Sequence, residues 1–241
     1  MDHKTAPIRV YPPGYGCLSP ASDYRPWTGD ADFQRVWLSV RSRTLIDQSR
    51  LYELWELLPQ VDHIRGDILE VGVWRGGSGA LLGLRAADSV TPVGRERHLF
   101  LADTFAGVAK AGKRDPYYIG GEHADTSLDS VAEFLHSLPL KNVQLLPGIF
   151  PDETAHRIAD RTFAFCHIDV DVYQSAKDVF EWVWPRVPLG GIVVFDDYGF
   201  YGCEGVTALI HELRSRIDGV TVGNLNGHAV IVRTQERRTT Q

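Results

Sequence analysis

The sequence predicts an α/β protein built on a mostly parallel sheet with helices packed against it. Three observations carry that expectation. Short apolar runs of strand length alternate with segments of helical periodicity along most of the chain. A glycine-rich turn, "EVGVWRGGSG", joins the first apolar run to the helix that follows it. Four of the seven strand-like runs also carry an acidic residue at or near their end. The 241 residues, 44% of them hydrophobic, suffice for such a core.

Each element has its own signal. Residues 1–32 are rich in Pro, Gly, Tyr and Ser, lack periodicity and read as an arm or lid; residues 33–241 read as one domain. From about Phe33 to Leu58 the pattern is helical, with Leu45, Leu51, Leu54, Trp55 and Leu58 at three- and four-residue spacings. "DILEVGV" then reads as a strand and "SGALLGLRAA" as a helix. "HLFLAD" is the next strand, and "LDSVAEFLHSL" the next helix. "NVQLLPG" and the short helix "DETAHRIA" follow, then strand "TFAFCHID" and helix "QSAKDVFEWVW". Strand "GGIVVFDD" and helix "EGVTALIHELRSR" come next, and short strands at "VTVG" and "HAVIVR" close the chain. Right-handed connections are expected between parallel neighbours. The stretch from about Ala106 to Thr126 is long for a loop, a length found in lids and binding elements or in disordered segments.

Composition excludes several classes. The net charge is −6 with no clustered basic run, which argues against nucleic acid as a partner. Three cysteines, without zinc-like spacing, read as free thiols in a reducing compartment. The Met1 end has no apolar segment of the signal-peptide kind, and no stretch approaches the roughly 20 apolar residues of a membrane span. A soluble, cytoplasmic protein is expected.

The strand ends hold the chemistry, because open α/β sheets bind ligands beyond the carboxyl ends of their strands. Glu70 lies near the end of the first strand and Asp103 at the end of the second. Asp169 and Asp171 follow the fourth, and Asp196 and Asp197 the fifth. Singly, Asp171 also reads as a helix cap and Asp196–Asp197 as a turn. Jointly, they gather at one sheet edge. The glycine turn is neither the dinucleotide fingerprint nor a P-loop, since Gly72 is followed by Val73, Trp74 and Arg75. Helix amides near Ser78 favour an anion. Asp103 suits a ribose diol, or reads as a loop cap. S-adenosylmethionine fits this combination, with its amino-acid end at the turn and its ribose near Asp103. Asp169, Asp196 and Asp197 would repel one another without a cation, and no other counter-charge is visible for them. All-oxygen ligands suit Mg²⁺. Asp171, two residues from Asp169, reads as a general base for an acceptor hydroxyl.

At these residues the chain resembles the macrocin O-methyltransferase family. The motifs run in order from Thr44 to Leu213 and include "GDILEVGVWRGGSG", "LADTFAG", "HADTSLDSV", "VQLLPGIFPDE", "HIDVDVYQSAKDVFEWVWPRVPLGG" and "VVFDDYG". The resemblance implies a class I, Rossmann-like fold with a seven-stranded sheet, dependence on S-adenosylmethionine and Mg²⁺, and a homo-oligomer. It implies a sugar-containing acceptor. It assigns the metal to Asp169, Asp196 and Asp197 and the base to Asp171. It assigns the methyl donor to Thr44, Leu45, Glu70, Gly72, Ser78, Asp103, Thr104, Phe105 and Ser127. His167 stands where the family often has arginine, and "DVDVY" where "DGDLY" is common; neither departure touches the acids. The alternatives are a phenolic or catechol acceptor, a nicotinamide-dependent oxidoreductase, weakened by the missing second glycine, and a catalytically dead binding protein, weakened by the complete acid set. His123, Tyr117 and Tyr118 in the long loop and Tyr11, Tyr15, Tyr24 and Trp27 in the arm are candidates to face an acceptor.

Overall fold

A computed structural model describes residues 11–18, 22–87, 96–215 and 217–235. Its centre is one seven-stranded sheet: β1 (Asp67–Val71), β2 (Leu99–Asp103), β3 (Val143–Pro147), β4 (Phe163–Ile168), β5 (Ile192–Phe195), β6 (Gly219–Gly223) and β7 (Ala229–Arg233). The strand order is β3-β2-β1-β4-β5-β7-β6. The first five strands are parallel, and β7 is antiparallel to both β5 and β6. The order reverses between β1 and β4, so a crevice opens at their carboxyl ends. β4, "FAFCHI", is buried along its whole length, as a central parallel strand covered on both faces must be.

Among the described residues, six α-helices cover the sheet: α1 (Ala31–Val40), α2 (Gln48–Leu57), α3 (Gly77–Ala86), α4 (Leu128–His136), α5 (Tyr173–Val183) and α6 (Glu204–Leu213). Helices α1 to α4 share a core with Ile68, Phe165, Val194 and Val230. Helices α5 and α6 cover the opposite face over Leu69, Val71, Cys166 and Phe195. α5 shows why its sequence is helical: Ala176, Val179, Phe180 and Val183 recur at three and four residues and are all buried.

Two expectations need correcting. The helical pattern over 33–58 is two helices, broken at 41–47. Asp47 accepts hydrogen bonds from the Ser49 and Arg50 amides and so starts α2 afresh. The break rests on α3, where the Gly77 amide donates to the Arg43 carbonyl at 2.9 Å. This contact carries Thr44 and Leu45 to the glycine turn. "DETAHRIA" holds only a 3₁₀ turn, Ala155–Ile158.

The long loop between β2 and α4 is fastened at several points. Buried Asp115 accepts from the Gly112 amide at 3.0 Å and from the Tyr173 amide, at the start of α5, at 2.8 Å. Lys110 bridges Asp152 and Asp178 at 2.8 and 2.7 Å. These bonds hold the loop over the carboxyl edge of the sheet. Among the described residues, no helix is long and apolar enough to cross a membrane.

Candidate active site

The site begins with backbone contacts that pull the strand ends together. The Asp169 amide donates to Val71 at 2.8 Å, and the Asp196 amide donates to Ile168 at 2.9 Å. The tips of β1, β4 and β5 are thereby adjacent. Gly72 has φ +93°, and a Cβ there would lie 1.6 Å from the Asp169 carbonyl oxygen. Only glycine allows the two tips to meet so closely.

Carboxylate oxygens of Asp169, Asp196 and Asp197 lie within 4.8 Å of one another. Asp171, Asp197 and the Cys203 thiol form an overlapping group of the same span. Asp171 and Asp197 sit at φ +63° and +65°, a left-handed conformation that Asp tolerates better than most residues. Burial, then the neighbouring acids, push the Asp169 and Asp197 carboxyls well above the usual range. Burial also raises Asp171, against the downward pull of a hydrogen bond from Tyr118 and of the charge on His123. The Tyr118 hydroxyl donates to Asp171 Oδ1 at 2.5 Å. Burial and this carboxylate drive its own pKa sharply upward.

The expectation that these acids lack any other counter-charge is corrected by Arg50. This side chain is buried, and its Nη1 donates to Asp196 Oδ1. Its Nε donates to Asp47 at 2.8 Å, and the guanidinium lies 4.6 Å from the centre of the Phe200 ring. The two carboxylates hold Arg50 above its ordinary pKa despite burial. One guanidinium still faces three clustered acids, and Asp197 Oδ2 is buried without a hydrogen-bond partner. Oxygen donors with a residual negative charge fit a hard divalent cation. The sequence did carry a signal for Arg50. It stands three residues after Asp47 and four before Leu54, on the buried face of α2.

A cavity of about 290 Å³ opens above the acids. Of the predicted cofactor residues, Thr44, Leu45, Gly72, Ser78, Asp103 and Thr104 line it, together with Asp169, Asp171, Asp196 and Asp197. Three others do not. Glu70 is fully buried below the floor, with Oε1 2.9 Å from His167 Nδ1. Ser127 caps α4 by accepting from the Ser130 amide at 3.2 Å. Phe105 packs on the core. Asp103 lines the wall, yet its carboxylate already takes the Val73 and Trp74 amides at 2.6 and 2.8 Å and the Phe105 amide at 2.7 Å. It shapes the glycine turn, and one of the roughly four lone-pair positions of a carboxylate stays free for a ligand.

From the long loop, Tyr118 and His123 reach the cavity. The neighbouring Tyr117 packs on Tyr201, with ring centres 4.9 Å apart, and Tyr11 and Tyr15 of the arm pack on the same ring at 5.7 and 5.6 Å. Trp27 instead packs against Tyr52, and Tyr24 is exposed.

A family model, Macrocin-O-methyltransferase (TylF), matches residues 33–222. The chain belongs to that family. Among curated members it is 30% identical over 198 residues to demethyldecarbamoylnovobiocin O-methyltransferase of Streptomyces niveus, covering 76% of this chain and 72% of the relative. It is 32% identical to the 8-demethyl-8-(2,3-dimethoxy-alpha-L-rhamnosyl)-tetracenomycin-C 4'-O-methyltransferase of Streptomyces olivaceus, over 76% and 71%. The mycinamicin III 3''-O-methyltransferase of Micromonospora griseorubida is 31% identical, over 73% and 71%. In three dimensions the chain resembles the O-methyltransferase NovP with a TM-score of 0.67 and 26% identity, covering 80% of this chain and 83% of that one. This macrocin-family protein is an O-methyltransferase with the class I, Rossmann-like fold.

Proposed function

We propose that the protein methylates a hydroxyl of a deoxysugar, carried on a sugar nucleotide or a glycosylated natural product of antibiotic or secondary metabolism. The methyl donor is S-adenosylmethionine, and Mg²⁺ is required. The observation that carries this reading is the three-acid cluster, within 4.8 Å, joined through Asp197 to a fourth carboxylate, Asp171, in one cavity. The names of the curated relatives support the acceptor class, since one acts on a rhamnosyl derivative and all belong to antibiotic-type products.

S-adenosylmethionine, when bound, supplies an electrophilic sulfonium methyl. Thr44, Leu45, Gly72, Ser78, Asp103 and Thr104 form its wall in this reading, with the bare glycine turn admitting it closely and the α3 amides near Ser78 facing its carboxylate. Asp169, Asp196 and Asp197 would hold Mg²⁺, which would supply the positive charge that acidifies an acceptor hydroxyl. Asp171 takes the hydroxyl proton as the O–CH3 bond forms and the sulfonium S–CH3 bond breaks, the leaving group being S-adenosylhomocysteine. Tyr118 occupies Oδ1 of Asp171 and fixes the carboxylate, leaving Oδ2 to receive the proton. Burial raises the Asp171 carboxyl above its ordinary range, the direction that makes a carboxylate a stronger base. Arg50, which lines the same cavity, holds Asp196 in place.

A phenolic acceptor is the second reading, favoured by the tyrosine cluster of Tyr11, Tyr15, Tyr117 and Tyr201 beside Tyr118. The first reading is tested with methyl-labelled S-adenosylmethionine and a deoxysugar nucleotide. EDTA abolishes label transfer and Mg²⁺ restores it; full transfer in metal-free protein contradicts the metal assignment.

A further inference from the structure

A second polar group lies under the acid cluster, on the sheet face covered by α2. Glu70 on β1 is the cross-strand partner of His167 on β4. Asp196 follows β5 and His228 precedes β7, where Phe195 stands opposite Ala229. Each of the four lies two residues along its strand from Ile68, Phe165, Val194 or Val230, which pack with Leu51, Leu54 and Trp55 of α2. The side chains therefore form one row across four neighbouring strands. α2 adds Glu53 and Arg50 from above.

The histidine geometry is specific. His167 Nδ1 is 2.9 Å from Glu70, and His228 Nδ1 is 2.7 Å from Glu53. A carboxylate at Nδ1 takes the N–H there, so in the neutral ring it is Nε2 that carries the lone pair. Both Nε2 atoms are buried without a hydrogen-bond partner, and both rings are fully inaccessible. One ring nitrogen of each histidine and a carboxylate oxygen of Asp196 lie within 4.8 Å of one another, with His228 Nε2 3.6 Å from Asp196 Oδ1. Three lone-pair donors thus face one small volume. In the same network the Arg50 guanidinium binds Asp47 and Asp196, while Glu70 and Glu53 bind His167 and His228.

We propose that His167, His228 and Asp196 form a divalent metal site of the zinc class, adjoining the three-acid cluster and sharing Asp196 with it. The donor set decides the class. Imidazole nitrogens suit Zn²⁺ and its neighbours, whereas all-oxygen ligands suit Mg²⁺. Glu70 and Glu53 are the outer partners that ligating histidines use to fix their tautomer. Tetrahedral ligands at about 2.0–2.2 Å from Zn²⁺ stand roughly 3.4 Å apart. The His228–Asp196 pair is already near that separation, and the widest pair closes by up to about 1.5 Å on binding. Neither histidine lines the cavity, so the ion is structural: it ties β4, β5 and β7 under α2 and fixes Asp196 from below. The site stands whether or not the upper cluster takes Mg²⁺.

Co²⁺ serves as the probe. The full chain is stripped with chelator, loaded with Co²⁺ in a large excess of Mg²⁺, and desalted. About one Co²⁺ per chain is expected to remain, with visible d–d bands that Zn²⁺ bleaches. His167→Gln and His228→Gln each lose the bands, while Asp169→Asn keeps them. Pulsed EPR of the Cu²⁺-loaded wild-type chain counts coordinated imidazoles without any variant, and two are expected. The proposal is overturned if the wild-type chain retains no Co²⁺ beside Mg²⁺, which would leave a buried water or a shared proton between the rings. Bands that persist in both folded histidine variants, bands lost with Asp169→Asn, or a Cu²⁺ spectrum without imidazole couplings overturn it equally.

Discussion

Asp196→Asn and Asp197→Asn are adjacent, isosteric changes, and their effects on the metal-free protein are expected to differ in sign. Asp196 is buried and ion-paired with Arg50, whose own side chain is 8% exposed. Removing one partner of a buried pair costs about 3–5 kcal/mol, because the other charge is left uncompensated. Arg50 keeps Asp47 at 2.8 Å, though that carboxylate is half exposed, so the lower end of the range applies, about 3 kcal/mol. For a chain of this size about 1 kcal/mol moves Tm by roughly 2–4 °C, which predicts a fall of about 6–12 °C. Asp197 is different. Burial and its acidic neighbours hold its carboxyl well above the usual range, so its ionised form is unfavourable in the fold. The amide removes that charge, and Asn tolerates the left-handed backbone at this position. Asp197→Asn therefore leaves Tm unchanged or raises it. The assay is thermal unfolding of both variants and wild type in EDTA near neutral pH. Equal losses in the two variants, or a larger loss at Asp197, would refute the pairing of Arg50 with Asp196 rather than with Asp197.

Other outcomes follow from the same geometry. Asp171→Asn is expected to retain metal and donor binding while kcat falls about 10²–10⁴-fold, the usual cost of losing a general base; a residual rate that merely tracks metal occupancy would make Asp171 a ligand. Tyr118→Phe removes a hydrogen bond that lowers the Asp171 pKa. The base then needs higher pH to ionise, so the acid limb of the kcat/KM profile moves to higher pH. An unmoved limb, or one shifted to lower pH, would separate Tyr118 from the base.

Much of this site was legible because its residues sit at strand ends. "TFAFCHID" and "GGIVVFDD" are apolar runs too short for helices, and each ends in carboxylates, so pattern and chemistry agree about where the sheet edge lies. The break between α1 and α2 was hidden because Leu45 continues the apolar spacing, although it is exposed at the cavity wall. The contact of Arg43 with α3 that enforces the break is tertiary. Asp103 looked free to bind ribose, since nothing local shows that three backbone amides converge on it. Glu70 looked like a ligand contact at a strand tip, but its side chain turns beneath the floor toward His167. Glu53, His228 and Arg50 come from distant segments, and only the sheet order β1-β4-β5-β7 brings them into one network.

The central claim, methylation of a sugar hydroxyl, is tested most directly by kcat/KM on matched acceptors with S-adenosylmethionine and Mg²⁺. Deoxysugar nucleotides and glycosylated aglycones are set against catechols and coumarin phenols. Turnover of a deoxysugar acceptor, with catechols slower, is the predicted result. Turnover of a phenol with none on any deoxysugar would contradict the acceptor assignment while leaving methyl transfer from S-adenosylmethionine, with Asp171 as base, in place.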